Sequence, residues 1–311
     1  MTQEVATTAN QIVMGPAFWV ATSIFLLAYA LIVSEKIHKT IIAIFGAALM
    51  IVLGIVTQED AFHSIDLGVD WNVIFLLISM MTIINIMKPT GVFEYIAIRS
   101  AKVARGEPFR IMVIFSIVTA VLSAFLDNVT TVLLIAPVTL LICQALELDV
   151  VPFLITEALA SNIGGTATLI GDPPNIMIAS KAQLDFMAFI YHLTPVVVVC
   201  LIVYIITLKF IFGKRLTVQE SLRQRVMAMN ENEAIKDPVL LKKSLMVLAV
   251  TMIGFVLHGA LHLEPATIAL FGAGLLLLVS GIKEPHHILA EAEWSTPVSY
   301  THLTLPTNRE V

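Results

Sequence analysis

Charged residues are scarce in this sequence, and cysteine is almost absent. Asp, Glu, Lys and Arg together make up 13% of the 311 residues, whereas a typical soluble domain contains about 25%. Hydrophobic residues make up 58%. A chain with so little charge is not an ordinary soluble domain, and we expect no nucleic-acid partner. The composition predicts an all-α polytopic membrane protein in the inner (cytoplasmic) membrane, in contact with lipid.

Several motifs that would mark an enzyme are also missing. Cys143 and Cys200 are far apart in apolar segments, which excludes a disulfide framework and a cysteine metal site and indicates simple packing. No Gly-x-x-x-x-Gly-Lys-Ser/Thr sequence is present, so the chain carries no nucleotide site of this type. Asp127 and Asp172 could form the pair of an aspartyl intramembrane protease, but neither a Gly-x-Gly-Asp nor a His-Glu-x-x-His motif occurs. We therefore predict a protein that is not an enzyme, has no cofactor and uses none of its histidines.

Long apolar segments are abundant. A segment that crosses a hydrocarbon core of about 30 Å needs roughly 20 residues. The predicted membrane helices lie at residues 17–34, 40–57, 71–87, 194–213, 243–261 and 264–282. Between them we expect an interfacial helix at 92–105, a re-entrant hairpin at 109–146 and an interrupted helix at 150–190.

The positions of Lys and Arg predict the orientation. If the N-terminal segment 1–16 is outside, all of the eighteen Lys and Arg residues except Lys181 and Arg309 lie on the cytoplasmic side. Cytoplasmic loops normally carry this excess. The linker 214–240 is then cytoplasmic, and so is the basic face of the interfacial helix.

An internal repeat predicts the architecture. Residues 42–53 read IAIFGAALMIVL and residues 268–279 read IALFGAGLLLLV, and both copies lead to an acid followed by tryptophan, at Asp70-Trp71 and Glu293-Trp294. The first repeat, 17–213, makes an odd number of net crossings, so the second, beginning at 241, enters from the opposite side. Inverted repeats of this kind are typical of secondary transporters.

The second repeat is incomplete in this sequence. A membrane helix follows Trp71, but after Trp294 the chain becomes polar and contains two prolines. Residues 241–296 therefore represent only the start of the second repeat. The last segment, 297–311, resembles a read-through peptide found at the broken ends of assembled environmental sequences, and we interpret it as non-native.

Two breaks in apolar sequence carry the candidate site. The first is Asp127-Asn128, which divides 109–146 into two arms and marks the tip of the predicted hairpin. The second is SNIGGTATLIGDPPN at 161–175, where paired glycines and paired prolines oppose a helix. Non-helical backbone at membrane depth persists only beside protein or a watery cavity. An acid there is costly, so Asp127 is a functional candidate.

The residues at these breaks predict ion and substrate binding. Free carbonyls and neutral oxygens suit Na⁺, and we expect such a site at Asn128, Ser161, Asn162, Gly164 and Gly165. Asp127 could instead carry a proton, so the coupling ion is Na⁺ or H⁺. Helix N-termini after Asn128 and Pro174 would direct positive dipole ends to the same place. The complete predicted binding set is Asp127, Asn128, Thr130, Thr131, Ser161, Asn162, Gly164, Gly165, Thr166, Thr168, Asp172, Pro173, Pro174 and Asn175.

SAFLDNVTTVLLIAPVT followed by ASNIGGTATLIGDPPNIMIAS resembles the ion transporter superfamily. That group includes arsenite permeases, NhaD-type Na⁺/H⁺ antiporters, citrate and other dicarboxylate transporters and the P protein. The resemblance implies a homodimer of inverted-repeat protomers, in which a hairpin tip and an unwound helix from each repeat together form the site. Asp127 stands where dicarboxylate carriers have the serine of a Ser-Asn-Thr signature, a departure that favours a branch coupled to protons or to Na⁺/H⁺ exchange.

The sequence therefore predicts a secondary active transporter that moves a small inorganic or organic anion, or exchanges Na⁺ for H⁺, by alternating access. A passive channel is one alternative, and an inactive fragment of such a transporter is another. A separate ATPase subunit could also drive it, as the resemblance to arsenite permeases allows.

Overall fold

The computed structural model describes residues 15–63, 69–182, 184–213, 216–282 and 284–290. The chain divides into two compact units, and of the described residues those up to 74 belong to one and those from 75 to 290 to the other. The candidate site lies in the second unit. The predicted tail 297–311 and the acid-tryptophan pair of the second repeat lie outside the described residues.

The described part of the chain is helical and contains no strand. Its α-helices are α1 Pro16–Val33, α2 Lys39–Val52, α3 Gln58–His63, α4 Trp71–Met87, α5 Val92–Val103, α6 Pro108–Ser123, α7 Asn128–Ala145, α8 Val151–Gly165, α9 Pro173–Ala182, α10 Phe186–Phe212, α11 Glu220–Ala228, α12 Pro238–Leu261, α13 Pro265–Ser280 and α14 His286–Ala290. Short 3₁₀ helices occur at Lys88–Thr90 and Glu231–Ala234.

Five stretches among the described residues are long and apolar enough to cross a membrane. They are Pro16–Val33, Trp71–Thr90, Asn128–Ala145, Phe186–Phe212 and Pro238–Leu261. Helices α2, α6 and α13 are apolar but shorter. The protein is thus an all-α polytopic membrane protein, as its composition predicts.

Three helices differ in length from their predicted segments, and the simplest case is α12, which begins at Pro238 instead of residue 243. Helix α2 ends at Val52 although the apolar stretch continues to residue 57, because Gly54 adopts a left-handed conformation with φ of 69°. Helix α10 begins at Phe186 rather than near residue 194, because the Asp185 carboxylate caps it by accepting a hydrogen bond from the Ala188 amide at 2.7 Å. Its Pro195 lies inside the helix, where the sequence suggested a beginning.

The linker after α10 is structured and packs on α5. Glu231, whose side chain is 10% exposed, accepts a hydrogen bond from Lys102 Nζ at 2.5 Å and another from Arg99 at 3.0 Å. The bond from Lys102, helped by that from Arg99, lowers the pKa of the Glu231 carboxyl to about 2. Farther along, the Lys236 amide donates to the Thr90 carbonyl at 2.9 Å. The basic face of the predicted interfacial helix is therefore covered in part by the linker.

A buried hydrophobic core of the second unit surrounds helices α6, α7 and α8. Ile111, Met112 and Phe115 of α6 are fully buried against Ile142 of α7 and Phe153 of α8. Residues of α5, α10 and α11 close the same cluster. This packing holds in place the two helix breaks that follow α6 and α8.

Candidate functional site

The first break lies between α6 and α7, at residues 124–127. Asp127 caps α7, since its Oδ1 accepts a hydrogen bond from the Thr130 amide at 2.8 Å. Its carbonyl accepts the Thr131 hydroxyl, also at 2.8 Å. A capping carboxylate stabilises a helix N-terminus by satisfying a free amide and complementing the dipole. Asp127 is buried, with 7% of its surface exposed, so this predicted functional residue has a clear structural role.

The second break lies between α8 and α9, at residues 166–172. Helix α8 ends at Gly165, and α9 begins at Pro173, where a missing amide proton costs nothing. Asn175 crosses the break: its side-chain amide donates to the Gly165 carbonyl at 3.2 Å and to the Thr168 carbonyl at 2.9 Å. An interruption is therefore present, but it is shorter than the predicted 161–175, because residues 161–165 with both glycines belong to α8. Side chains hold the remaining residues in a defined conformation.

The two breaks contact each other. The Asn128 side chain donates to Asn162 Oδ1 at 2.7 Å, and the Ser123 hydroxyl donates to the Ser161 carbonyl at 2.8 Å. A third bond runs from the Thr168 hydroxyl to the carbonyl of Ala124. The structure thus brings together the two motifs that the sequence singled out, although they are separated by more than a helix along the chain.

Glycine is required where α8 meets α6. A Cβ atom added to Gly164 would lie 2.0 Å from the Ala120 carbonyl oxygen and 2.4 Å from its Cα. At Gly165 the added Cβ would lie 2.8 Å from the Gly171 carbonyl oxygen. Both obstacles are backbone atoms, which cannot move aside as a flexible side chain could. The paired glycines therefore permit close helix packing and the return of the chain through the break.

The carbonyl oxygens of the paired glycines already accept hydrogen bonds, although the sequence predicts that they are free to bind an ion. The Gly164 carbonyl accepts a hydrogen bond from the Ala167 amide at 2.9 Å, and Gly165 accepts from Asn175. The Asn162 carbonyl accepts the Thr166 hydroxyl at 2.9 Å. Each of these three oxygens already has at least one donor because the chain turns back on the end of α8. A Na⁺ ion bound at the predicted ligands would have to use the remaining lone pairs of these oxygens, or the break would have to rearrange.

One acidic residue lies at each of the two breaks. Asp127 precedes α7, and Asp172, which is partly exposed, precedes α9 and accepts the Asn175 amide through its carbonyl at 3.0 Å. The two carboxylates are close enough to repel each other. Neither has a Lys or Arg ion pair among the side chains that the structure describes. The Asp127 carboxylate therefore already occupies the N-terminus of α7, one of the two helix ends that the sequence directs toward the site.

Glu157 is a polar residue that the sequence reading overlooked. It lies in the middle of α8, is completely buried, and accepts a hydrogen bond from the Thr139 hydroxyl of α7 at 2.6 Å. Its other carboxylate oxygen has no partner among the described residues. The signal was present, since an acid inside the apolar stretch VPFLITEALA is as costly in a membrane as Asp127.

Comparison with known proteins shows the family to which this sequence belongs. A family model described as citrate transporter matches residues 29–298, which include both breaks. The chain belongs to the citrate transporter family. Among the residues of this family member that the structure describes, no group of three or more His, Cys, Asp or Glu side chains could hold a metal ion.

Several relatives of this citrate transporter family member are named as transporters. Uncharacterized transporters of Mycobacterium bovis and Mycobacterium tuberculosis are 50% identical over 284 residues, which cover 91% of this chain and 66% of theirs. The human P protein is 29% identical over an alignment that covers 91% of this chain and 42% of the P protein. The chain thus spans slightly less than two thirds of the length of its mycobacterial relatives.

Proposed function

We propose that this protein is a secondary active transporter that moves a small anion, or exchanges Na⁺ for H⁺, by alternating access. The observation that carries the proposal is the hydrogen bond between Asn128 and Asn162, which joins two interrupted helices in a member of the citrate transporter family. Interrupted helices that meet inside a membrane protein are a common way to form a transporter site.

The charge at the break supports coupling to a cation. Asp127 and Asp172 repel each other, and no basic side chain among the described residues pairs with them. A bound Na⁺ or H⁺ would relieve that repulsion, and an anion would bind more readily beside the cation than alone. The family description makes citrate the first organic anion to test.

The assembly that we propose follows the resemblance and the charge distribution. The protein would be a homodimer in the inner membrane with its N-terminus outside, and a separate ATPase subunit could associate with it. Thiol labelling of single cysteines introduced near residue 16 and in the linker would test the orientation. Cross-linking in native membranes would test the dimer.

Transport by the full-length protein in everted vesicles tests the function. We expect one of three results: citrate uptake driven by a Na⁺ or H⁺ gradient, arsenite movement, or proton movement that depends on Na⁺. Vesicles that carry Asn162→Ala should lose this movement, whereas an exposed linker variant, Glu233→Gln, should keep it. Fluxes that only run downhill and do not saturate would show a channel instead, and no flux of any of these ions would refute the proposal.

A further inference from the structure

Glu157 lies in a buried polar cluster about one helical turn before Ser161 of α8. It precedes Ser161 by four residues on α8, a separation of about 6 Å along the axis. Ser116 and Thr119 of α6 are fully buried, and Ser116 lies within reach of the Tyr204 hydroxyl of α10. Tyr204 of α10 donates to the Thr156 carbonyl at 2.7 Å. Four helices thus contribute oxygen atoms to one enclosed region beside the candidate site.

Among the described residues, no Lys or Arg side chain is paired with Glu157. The titratable groups that interact with it are Cys143 of α7 and Tyr204 of α10, both neutral in their usual forms. Helix α6 has only Arg110, which is half exposed in the first turn and paired with Glu107. The other titratable side chains of α10 are exposed: Tyr191, His192, Cys200 and Lys209.

An ionised carboxylate is therefore unfavourable in this packing. Burying a charge without a partner is much more costly than burying a neutral acid, and such groups normally take up a proton. The Thr139 hydroxyl already donates to Oε1, so Oε2 is the atom left to carry that proton. A neutral Glu157 also gains a hydrogen-bond donor at Oε2, the oxygen that accepts no bond from the described residues.

We propose that Glu157 is the proton-binding group that couples transport in this half of the protein. The inference rests on the proposed transport function. When the cluster opens to water, the O–H bond at Oε2 breaks, the proton passes to water and the electron pair remains on the carboxylate. The closed packing re-forms only after a proton has returned to Oε2. Each passage through the closed state therefore carries one proton, while Asp127 serves chiefly as the cap of α7.

Carbodiimide labelling tests the proposal without a known substrate. Dicyclohexylcarbodiimide reacts with protonated carboxyl groups in apolar surroundings. With the full-length protein in proteoliposomes, mass spectrometry should find label on Glu157 that decreases as pH rises, and little on the exposed Glu147. Absence of label on Glu157 at every pH would mean that this acid stays sealed, and would overturn the proposal even if variants fail to fold.

The transport test uses Glu157→Gln, which can still accept the Thr139 hydrogen bond but cannot release a proton. We expect citrate uptake by this variant to lose its acceleration by an imposed pH gradient, while Glu147→Gln retains it. An unchanged pH response in Glu157→Gln would refute the role of this acid. If the unmodified protein moves neither citrate, arsenite nor Na⁺, the proposed function fails, and labelling still decides whether Glu157 exchanges protons.

Discussion

Gly164→Ala is the substitution that most directly tests the packing at the candidate site. The new methyl carbon would meet the Ala120 carbonyl oxygen at 2.0 Å, although ordinary contacts begin near 3.4 Å. Helices α6 and α8 would have to separate by a large part of the difference, 3.4 − 2.0 = 1.4 Å. The hydrogen bond from Ser123 to Ser161 spans the same two helices one turn away and would lengthen with them.

The expected cost follows from these distances. Adding a methyl group to a well-packed core typically costs about 1–3 kcal/mol, and we expect the upper end because the obstacle is backbone. Alanine favours a helix over glycine by about 1 kcal/mol. The net loss in free energy of unfolding should thus be about 2 kcal/mol, together with loss of transport.

Gly274→Ala is the matched control, because α13 leaves nothing within 4 Å of the added atom. Thermal unfolding of the purified variants in detergent, followed by size-exclusion chromatography, measures the difference. Gly164→Ala should unfold at a clearly lower temperature than the unmodified protein, and Gly274→Ala at the same or a higher one. Equal stability for Gly164→Ala would show that α6 and α8 do not approach as closely as described.

Three further predictions concern side-chain contacts. The Glu231 carboxyl has a pKa lowered from 4.5 to about 2, so its stabilisation of the linker is present above pH 4.5 and is lost as the pH falls toward 2. The rate of hydrogen exchange in the linker should rise in that range. Glu231→Gln should raise this rate already at neutral pH. Thr139→Val leaves the Glu157 carboxyl without its donor and should lower the free energy of unfolding by about 1–3 kcal/mol, measured by thermal unfolding. Thr139→Ser keeps a hydroxyl and should lower it clearly less. Equal losses in the two variants would argue against the hydrogen bond. Asn128→Ala removes one partly exposed hydrogen bond, so it should cost about 1 kcal/mol or less and yet abolish transport; normal transport would separate this contact from function.

The sequence predicts the helix breaks well because their causes are local. Asp127 and Asn128 interrupt an apolar run, and an Asp before a helix is a favourable cap wherever the helix lies. Gly165 and Pro173 stand at the two sides of the second break, where their own backbone chemistry ends one helix and begins the next. Periodicity and composition are enough for features of this kind.

The contacts that close the site could not be predicted in the same way. That Asn175 would occupy the carbonyls of Gly165 and Thr168 depends on how the chain turns through residues 166–172. Glu157 was overlooked because a single acid in an apolar helix gives no sign of which helices surround it. The relation between the two repeats stays a prediction, since the second acid-tryptophan pair lies outside the described residues.

The attachment of the linker to α5 has a mechanical consequence. The Lys236 amide is bonded to Thr90, and α12 begins only two residues later, at Pro238. Gly91 leaves no room for a side chain, since an added Cβ would lie 1.7 Å from the Ala234 carbonyl oxygen. The linker is therefore a short, rigidly attached connection. A movement at the start of α12 would be transmitted directly to the start of α5. A reporter domain inserted before Glu220 would leave these linker contacts intact. One inserted between Glu231 and Lys236 would disrupt them.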